Sequence, residues 1–427
     1  MNIEQLHRIF LEHPVVSTDT RNLPVGCIFF ALRGPNFNAN QLAAQALEGG
    51  ARLAVIDDPA FAKDNRFVLV EDVLQTLQAL ASYHRRTLKI PVIGLTGSNG
   101  KTTSKELTHA VLQTTYHTFA TRGNLNNHIG VPLSILSITP QHEIAVIEMG
   151  ANHVGEIDAL SKIAQPTHGF ITNIGKAHIG TFGGFENIIR GKSELFQYLR
   201  EHQGVVFINS LNPILLNMAK RFEQPIFYPQ EQDFYFCKLI DADPFITVLA
   251  ENNDVVKTHL VGSYNFENIA AALCIGKYFN VDPLKANNAI AQYEPGNMRS
   301  QIIDKGNNKI ILDAYNANPS SMKAAIENLK AMHAKNKVVI LGDMFELEEE
   351  AQAEHENLGK LVEEGIHEVW LCGKLMESAK KVLPTANHFD SRDALIEALK
   401  KHQFNDAVIL VKASRGIGLE KIVDYIL

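Results

Sequence analysis

The stretch Ile93-Gly94-Leu95-Thr96-Gly97-Ser98-Asn99-Gly100-Lys101-Thr102-Thr103-Ser104 decides how this chain folds. An apolar, strand-like run (PVIGLT) feeds a short glycine loop, and helical spacing follows over Lys101–Thr114. That is the setting of a phosphate-binding loop, in which backbone N–H groups and a helix N-terminus attract an anion. Lys101 suits the β/γ-phosphates and Thr102 suits Mg²⁺. The loop departs from the strict pattern at one place, because Leu95 stands where a further glycine is usual. A glycine-rich turn with an incidental lysine is the rival reading. Strand, loop, Lys-Thr-Thr and helix occurring together favour nucleotide binding, with Gly97, Ser98, Asn99, Gly100, Lys101, Thr102 and Thr103 as the contacts.

Working outward, strands and helices alternate on the C-terminal side of the loop. IAVIEM, HGFITNI and GVVFINS read as strands; Gly155–Ala164, Glu186–Arg200 and the Ala-rich Asn265–Phe279 read as helices. Short, fully apolar strands between helices predict a parallel sheet covered on both faces. On the N-terminal side, CIFFAL, ARLAVID and RFVLV are strands, with helical patterns at Gln41–Leu47 and Val73–Tyr83. After Pro295-Gly296 the alternation restarts. KIILDA, KVVILGD, EVWLCG and AVILVKA are strands, and Ser320–His333, Ala351–Glu364, Arg392–His402 and Leu419–Ile426 are helices. This predicts a second parallel unit resembling a Rossmann-type domain, with Asn307-Asn308 as a turn before its first strand. It lacks GxGxxG, so no dinucleotide site is expected. The fold class is α/β in three units: 1–88, 89–295 and 296–427.

Composition agrees with a globular chain. Of 427 residues, 45% are hydrophobic and 20% charged, which argues against disorder. A net charge of −7 gives no nucleic-acid footprint. The four cysteines form no CxxC pair and read as buried free thiols, suiting a reducing, cytoplasmic setting. No basic start followed by an apolar core marks a signal peptide, and no apolar run approaches the ~20 residues that span a bilayer.

The candidate chemistry lies at strand ends. Glu148 ends IAVIE beside the loop strand, where a second Mg²⁺ ligand is wanted; alone it is an ordinary strand-end carboxylate. His178 follows HGFITNI on the same rim, although a lone histidine is more often structural. Lys192 shares a helical face with Ile188, Leu195 and Leu199, so it is directed toward the protein. A snorkelling lysine is the common explanation. The alternative is a lysine of depressed pKa whose neutral amine takes up CO₂ as a carbamate, an oxygen ligand for Mg²⁺. Asn265 and Asn268 share one face at a helix start and suit a base edge or phosphate, while a cap is the plainer role for Asn265. Asp313, Tyr315, Asn316 and Asn318 cluster after the strand KIILD, in the usual ligand crevice of such a sheet, although Asn-Pro also makes a plain turn. FELEEEAQAEHE, with five Glu over 346–354, reads as the solvated face of a helix. HExxH, GxSxG and metal-spaced Cys/His sets are absent, which leaves zinc hydrolysis and serine catalysis without support.

Assembled, TGSNGKTTSKE, GNLNNHIGVPLSIL, IEMGANHVGEI, AHIGTFG, GKSELF, LDAYNANPSSM, ILGDMFEL and LVKASRG resemble the Mur ligase family across essentially the whole chain. YNANPSSM and GDMFEL resemble the branch that joins D-alanyl-D-alanine to UDP-N-acetylmuramoyl-tripeptide. STDTRNLPVGCIFFALRG resembles the family's UDP-binding domain, but relatives tend to carry Asp-Gly-His where this chain has Asn38, Ala39 and Asn40. The resemblance implies ATP-dependent amide formation through an acyl phosphate, with two Mg²⁺ ions. It implies that Lys101 holds phosphates, that Thr102 and Glu148 bind one Mg²⁺, and that His178 and carbamylated Lys192 serve the other. Asn265, Asn268, Arg299 and Asp313 are implied for the nucleotide. Thr20, Arg21, Asn124, Asn126, Asn127, Tyr315, Asn316, Asn318, Ser414 and Arg415 are implied for the substrates. A monomer without a membrane span or nucleic-acid partner is expected. The rival readings are a sister ligase (adding the third peptide residue, or polyglutamate to folate), a nucleotide-driven switch, and a non-catalytic binding module.

Overall fold

A computed structural model describes residues 1–296 and 298–426; Asn297 and Leu427, the latter closing the third expected unit, lie outside the described residues. The strand Val92–Thr96 is buried along its whole length and sits inside a six-stranded parallel sheet. Across that sheet the order is Ile226–Tyr228, Val205–Asn209, His168–Ile171, Val92–Thr96, Ile144–Glu148 and Thr118–Ala120. The loop strand is thus flanked by the strands that end near Glu148 and His178. Continuous apolar strands of this kind need cover on both faces. The helix Lys101–Leu112 with the almost wholly buried Asn265–Tyr278 supplies part of it, and the helices Glu156–Ala164 and Phe185–Glu201 supply more.

A four-stranded parallel sheet (Val16–Ser17, Ile28–Phe30, Leu53–Ile56, Phe67–Leu69) precedes this one. The helix Val73–Thr87 joins the two, packing on Ile3–Glu12 at one side and on Gly130–Leu136 and Glu156–Ala164 at the other. Its Arg85 is 5% exposed and donates to the carbonyls of Ala164 (2.9 Å), Gln165 (3.1 Å) and Leu88 (3.0 Å). In this way one buried guanidinium satisfies the end of the helix Glu156–Ala164 and the end of its own helix.

The last sheet corrects one expectation. Its order is Gln301–Lys305, Asn308–Asp313, Ala407–Lys412, Asn336–Gly342, Glu368–Cys372 and Asn387–Phe389, and its first strand pair is antiparallel. Gly306, at φ 61°, turns that hairpin, so Asn308 is in the strand rather than in a turn before it. A second correction concerns Leu419–Tyr425, which is a 3₁₀ segment and not an α-helix. A three-stranded antiparallel sheet over Cys237–Asp241, Phe245–Ala250 and Val255–Val261 was not anticipated. Its strands bury alternate residues, Ile246 and Val248 among them, and leave the others partly or fully exposed. The four cysteines are buried and free, as expected.

Two predictions follow from the packing. Arg85→Ala strands several buried carbonyls, so stability should fall by about 2–4 kcal/mol, read as a lower urea midpoint; a change below about 0.5 kcal/mol would show that the bonds are unimportant. The second concerns pH. His84 is buried, bonded to His7 (3.1 Å) and to the Ile138 carbonyl (3.0 Å), and burial holds both rings below the ordinary histidine value. His168, among Phe207, Tyr278 and Phe279, is pushed by burial to about 4. These rings stay neutral in the folded chain, whereas the unfolded chain takes up protons near pH 6.5. Their contribution is therefore complete above about pH 6.5 and declines as pH falls toward 4. The urea midpoint should be lower at pH 5.5 than at pH 7; equal midpoints would contradict this.

Candidate active site

The phosphate loop is fixed from the neighbouring strand. Thr172 Oγ1 donates to the Asn99 carbonyl (2.6 Å), Asn173 Oδ1 accepts from Asn99 N (3.0 Å), and Ser98 Oγ donates to the Gly175 carbonyl (2.9 Å). Two glycines permit this. A Cβ on Gly97 would overlap Thr172 Oγ1, and one on Gly100 (φ 76°) would lie 2.6 Å from Asn268 Oδ1. Asn268 closes the other side: its Oδ1 accepts from Ser104 Oγ (2.8 Å), and its amide donates to Asn265 Oδ1 (2.8 Å). Asn265 in turn donates to the Val261 carbonyl (2.8 Å). The pair therefore braces the loop, and Asn265 does not act as a side-chain cap.

Lys101 folds back on the loop, donating to the Gly97 (2.8 Å) and Ser98 (3.3 Å) carbonyls. Burial lowers its pKa, Arg299 adds to the fall, and Glu148 opposes it. An arriving polyanion would reverse this penalty. Glu148 is 1% exposed. Its Oε1 accepts from Asn126 (2.8 Å), and its Oε2 is buried without a hydrogen-bond partner. A buried carboxylate oxygen in that state asks for a cation. Thr102, buried at the start of the next helix, lines the same cavity. Among the described residues no three His, Cys, Asp or Glu side chains gather into a ready metal cage. A Mg²⁺ site of one carboxylate, one hydroxyl and substrate phosphates fits this donor set.

Lys192 is 1% exposed, with Ile188, Leu195 and Leu199 buried along the same helix. Its Nζ donates to the Ala151 carbonyl (3.2 Å) and lies 5.2 Å from the Phe182 ring centroid. Burial, then the Lys101 ammonium, drive its pKa well below the ordinary lysine value, against Glu156 and Glu194. It is not a snorkelling residue. Ala151 lines the cavity, whereas Lys192 itself stands behind that wall.

The cavity holds about 720 Å³ and is walled from both large sheets. It gathers the loop, Asn124, Asn126, Asn127, Glu148, His178, Asn265 and Asn268 with Arg299, Asp313, Tyr315, Asn316 and Asn318. Arg299 stacks on Tyr315 at 3.8 Å. Asn318 caps the helix Pro319–Ala331, donates to Asn99 Oδ1 (2.8 Å) and lines the cavity. Thr20, Arg21, Ser414 and Arg415 are not brought into this wall. Arg21 is exposed and engaged by Asp19 (2.6 Å); Ser414 is buried, accepting from Phe345 N (2.9 Å); Arg415 lies over the Tyr315 ring at 5.1 Å. Asn40, at the departure from the family pattern, is buried and bonded both ways with Asp57 (2.8 and 3.1 Å).

Several wall residues escaped the sequence reading: Asn173, Tyr264, Glu267 and Lys412. Lys412 had a legible signal, a charge ending the apolar run AVILV. It is 2% exposed and bonds Asp313 (2.5 Å) and the Asn316 carbonyl (3.1 Å). The acidic run 346–354 is also corrected. Glu354 is buried and pairs with Lys176 (2.6 Å), and Glu346 pairs with His178, so this segment meets the central part of the chain instead of only facing water.

Comparison with known proteins agrees with this geometry. Residues 95–276 match the Mur ligase middle domain, and 298–415 match the Mur ligase, glutamate ligase domain. UDP-N-acetylmuramoyl-tripeptide–D-alanyl-D-alanine ligases of Bacillus subtilis and Escherichia coli are each 35% identical, over 96% of this chain and 92% of theirs. The crystal structure of MurF from Acinetobacter baumannii superposes with a TM-score of 0.86 at 31% identity, over 96% of this chain and 92% of that one. MurF from Thermotoga maritima in complex with ADP gives 0.85 at 27% identity, over 97% of each chain. A folylpolyglutamate synthase from Mycobacterium tuberculosis, at 14% identity and TM-score 0.63 over 82% of this chain and 94% of its own, shares the fold alone. The chain belongs to the Mur ligase family.

Proposed function

We propose that this chain is the ATP-dependent ligase that joins D-alanyl-D-alanine to UDP-N-acetylmuramoyl-tripeptide in cytoplasmic peptidoglycan precursor synthesis. The observation that carries this reading is the single cavity in which the phosphate loop, the half-satisfied Glu148 and the Tyr315–Asn318 cluster face one another. Relatives of that named activity over nearly the whole chain support it. In this reading 1–88 takes the UDP end, 89–295 holds ATP, and 296–427 brings the acceptor dipeptide.

A carboxylate does not acylate an amine without activation. The terminal carboxylate of the tripeptide attacks the γ-phosphorus of ATP and ADP leaves. The amine of D-alanyl-D-alanine attacks the acyl phosphate, and the tetrahedral adduct loses a proton and phosphate to give the amide. Lys101 exchanges its two carbonyl partners for phosphate oxygens, which lowers the repulsion met by the incoming carboxylate. Arg299, held flat on Tyr315, and Asp313, held by Lys412, meet the nucleotide from the opposite wall. Asn124, Asn126 and Asn127 orient the tripeptide end, and Asn316 the dipeptide, with Thr20 and Arg21 toward the UDP and Ser414 and Arg415 near the acceptor. Thr102 and Glu148 would hold one Mg²⁺, and His178 with Lys192 a second. When bound, such ions neutralise charge on the transferring phosphoryl group. Lys192 serves as a carbamate: a buried neutral amine, with its pKa lowered, is the form that takes up CO₂.

Measured with UDP-N-acetylmuramoyl-tripeptide, ADP release should be sustained only when D-alanyl-D-alanine is also present. Equal sustained release without the dipeptide would favour the nucleotide-driven switch, and acceptance of a free diamino acid or glutamate in its place would favour a sister ligase. Lys101→Ala should lower kcat by about 10³-fold or more with the fold intact; unchanged turnover would remove the loop from the mechanism. Lys192→Ala should nearly abolish ligation, and acetate or formate should restore part of it. Wild-type enzyme stripped of CO₂ should lose activity and regain it on adding bicarbonate. Near-normal activity of Lys192→Ala would reject the role of this residue.

A further inference from the structure

The ring of His178 is held from across the cleft. Its Nδ1, otherwise without a hydrogen-bond partner, lies against the carboxylate of Glu346, which sits between the strand Asn336–Gly342 and the short helix Glu348–Glu350 of the last sheet's unit. Both residues are non-glycine and left-handed: His178 at φ 57°, ψ 33° and Glu346 at φ 63°. Such a backbone is strained for a residue with a Cβ and persists only where its surroundings over-determine it. Here they do. Lys176 N donates to Ser320 Oγ (2.8 Å), Lys176 Nζ to the buried Glu354 (2.6 Å), and Gly180 N to the Glu346 carbonyl (3.3 Å). The two glycines beside His178 are pressed against the same partner: a Cβ on Gly175 would lie 2.8 Å from Ser320 Oγ, and one on Gly180 2.8 Å from the Leu347 carbonyl carbon. Strain on both sides of one contact, in a seam this close, marks a contact kept for its geometry.

We propose that Glu346 is a positioning residue for His178. Its carboxylate accepts from Nδ1–H, fixes the ring's rotation, and leaves Nε2 as the nitrogen with a free lone pair. The Glu346 side chain is 46% exposed, so the contact adds little to stability. Its effect lies in orientation and tautomer, as for a carboxylate behind a ligating histidine, where loss of the partner typically costs about 10–100-fold. Because the carboxylate comes from the far wall, His178 is correctly set only when the two walls meet. The inference rests on the role proposed above for His178.

Glu346→Ala should lower kcat by about 10–100-fold while KM for ATP and for D-alanyl-D-alanine stays within about threefold. Glu346→Gln, whose amide oxygen accepts from the same N–H, should recover kcat to within about fivefold of the parent. In ¹⁵N spectra of the nucleotide- and metal-free protein, with the signal assigned by its loss in His178→Gln, the parent ring should carry its proton on Nδ1. The Glu346→Ala ring should shift toward the Nε2–H tautomer. A kcat for Glu346→Ala within threefold of the parent, or an unchanged ring pattern, would overturn the inference. His178→Ala separates the two claims. If it is active, the role of His178 itself fails; if it is inactive while Glu346→Ala is fully active, only the positioning role fails.

Discussion

A carboxylate buried to 1% exposure with one oxygen unpaired organises this molecule. Burying an uncompensated charge costs several kcal/mol, and that cost persists only where a cation is due to arrive. Glu148 ends an all-buried strand that is paired on both sides within a parallel sheet. Its backbone N–H is tied to Thr121 Oγ1 (3.0 Å), and Asn126 donates to its Oε1 (2.8 Å), leaving Oε2 unpartnered. The loop beside it has the opposite need. Lys101 is a buried ammonium resting on carbonyls, and its pKa is pulled down by burial and by Arg299. In the function proposed above, a magnesium nucleotide would supply both missing partners at once.

The alternation of apolar strands with helices was legible, because it follows from burial on two faces, which the strand sequences carry residue by residue. The loop, Glu148 and the inward direction of Lys192 were legible for the same reason: each is a polar exception to an apolar pattern. Three things were not. The antiparallel sheet over 237–261 has short strands whose alternation is interrupted by register shifts. The hairpin strand Gln301–Lys305 is only partly buried and reads like a loop. The acidic run 346–354 looks solvated in sequence, since nothing local says that Lys176 and His178 stand opposite it. Contacts between distant units leave no periodicity, and that is why this seam was missed while the strand ends were found.

The two large sheets explain why the cleft lies where it does. Ligands of open parallel sheets bind beyond the carboxyl ends of the strands. Glu148 ends one strand of the central sheet; Asp313 and Lys412 end neighbouring strands of the last sheet. All three line one cavity, so the two sheets present their ligand-binding edges to each other. Such an arrangement suits the proposed reaction of a polyphosphate, a carboxylate and an amine, in which one edge would hold the phosphates and the other would deliver the amine. A single sheet would have to crowd all three ligands onto one rim.

The charge balance of the cleft then constrains Lys192. Burial lowers the pKa of Lys192, and the Lys101 ammonium lowers it further. Adding divalent cations nearby makes a charged Lys192 still less favourable, because like charges in a poorly solvated site repel strongly. A lysine kept only for packing would gain by replacement with an apolar residue, since its stem is wholly buried among Ile188, Leu195 and Leu199. An amine there, its pKa lowered by burial and hydrogen-bonded to the Ala151 carbonyl, makes physical sense if the nitrogen reacts. In the proposed function, addition of CO₂ to the amine with loss of a proton would leave an anion with two oxygen donors behind the wall that Ala151 lines. A carbamate there, as proposed, would relieve the cost of the buried amine and would supply oxygen donors for a cation; a snorkelling side chain does neither.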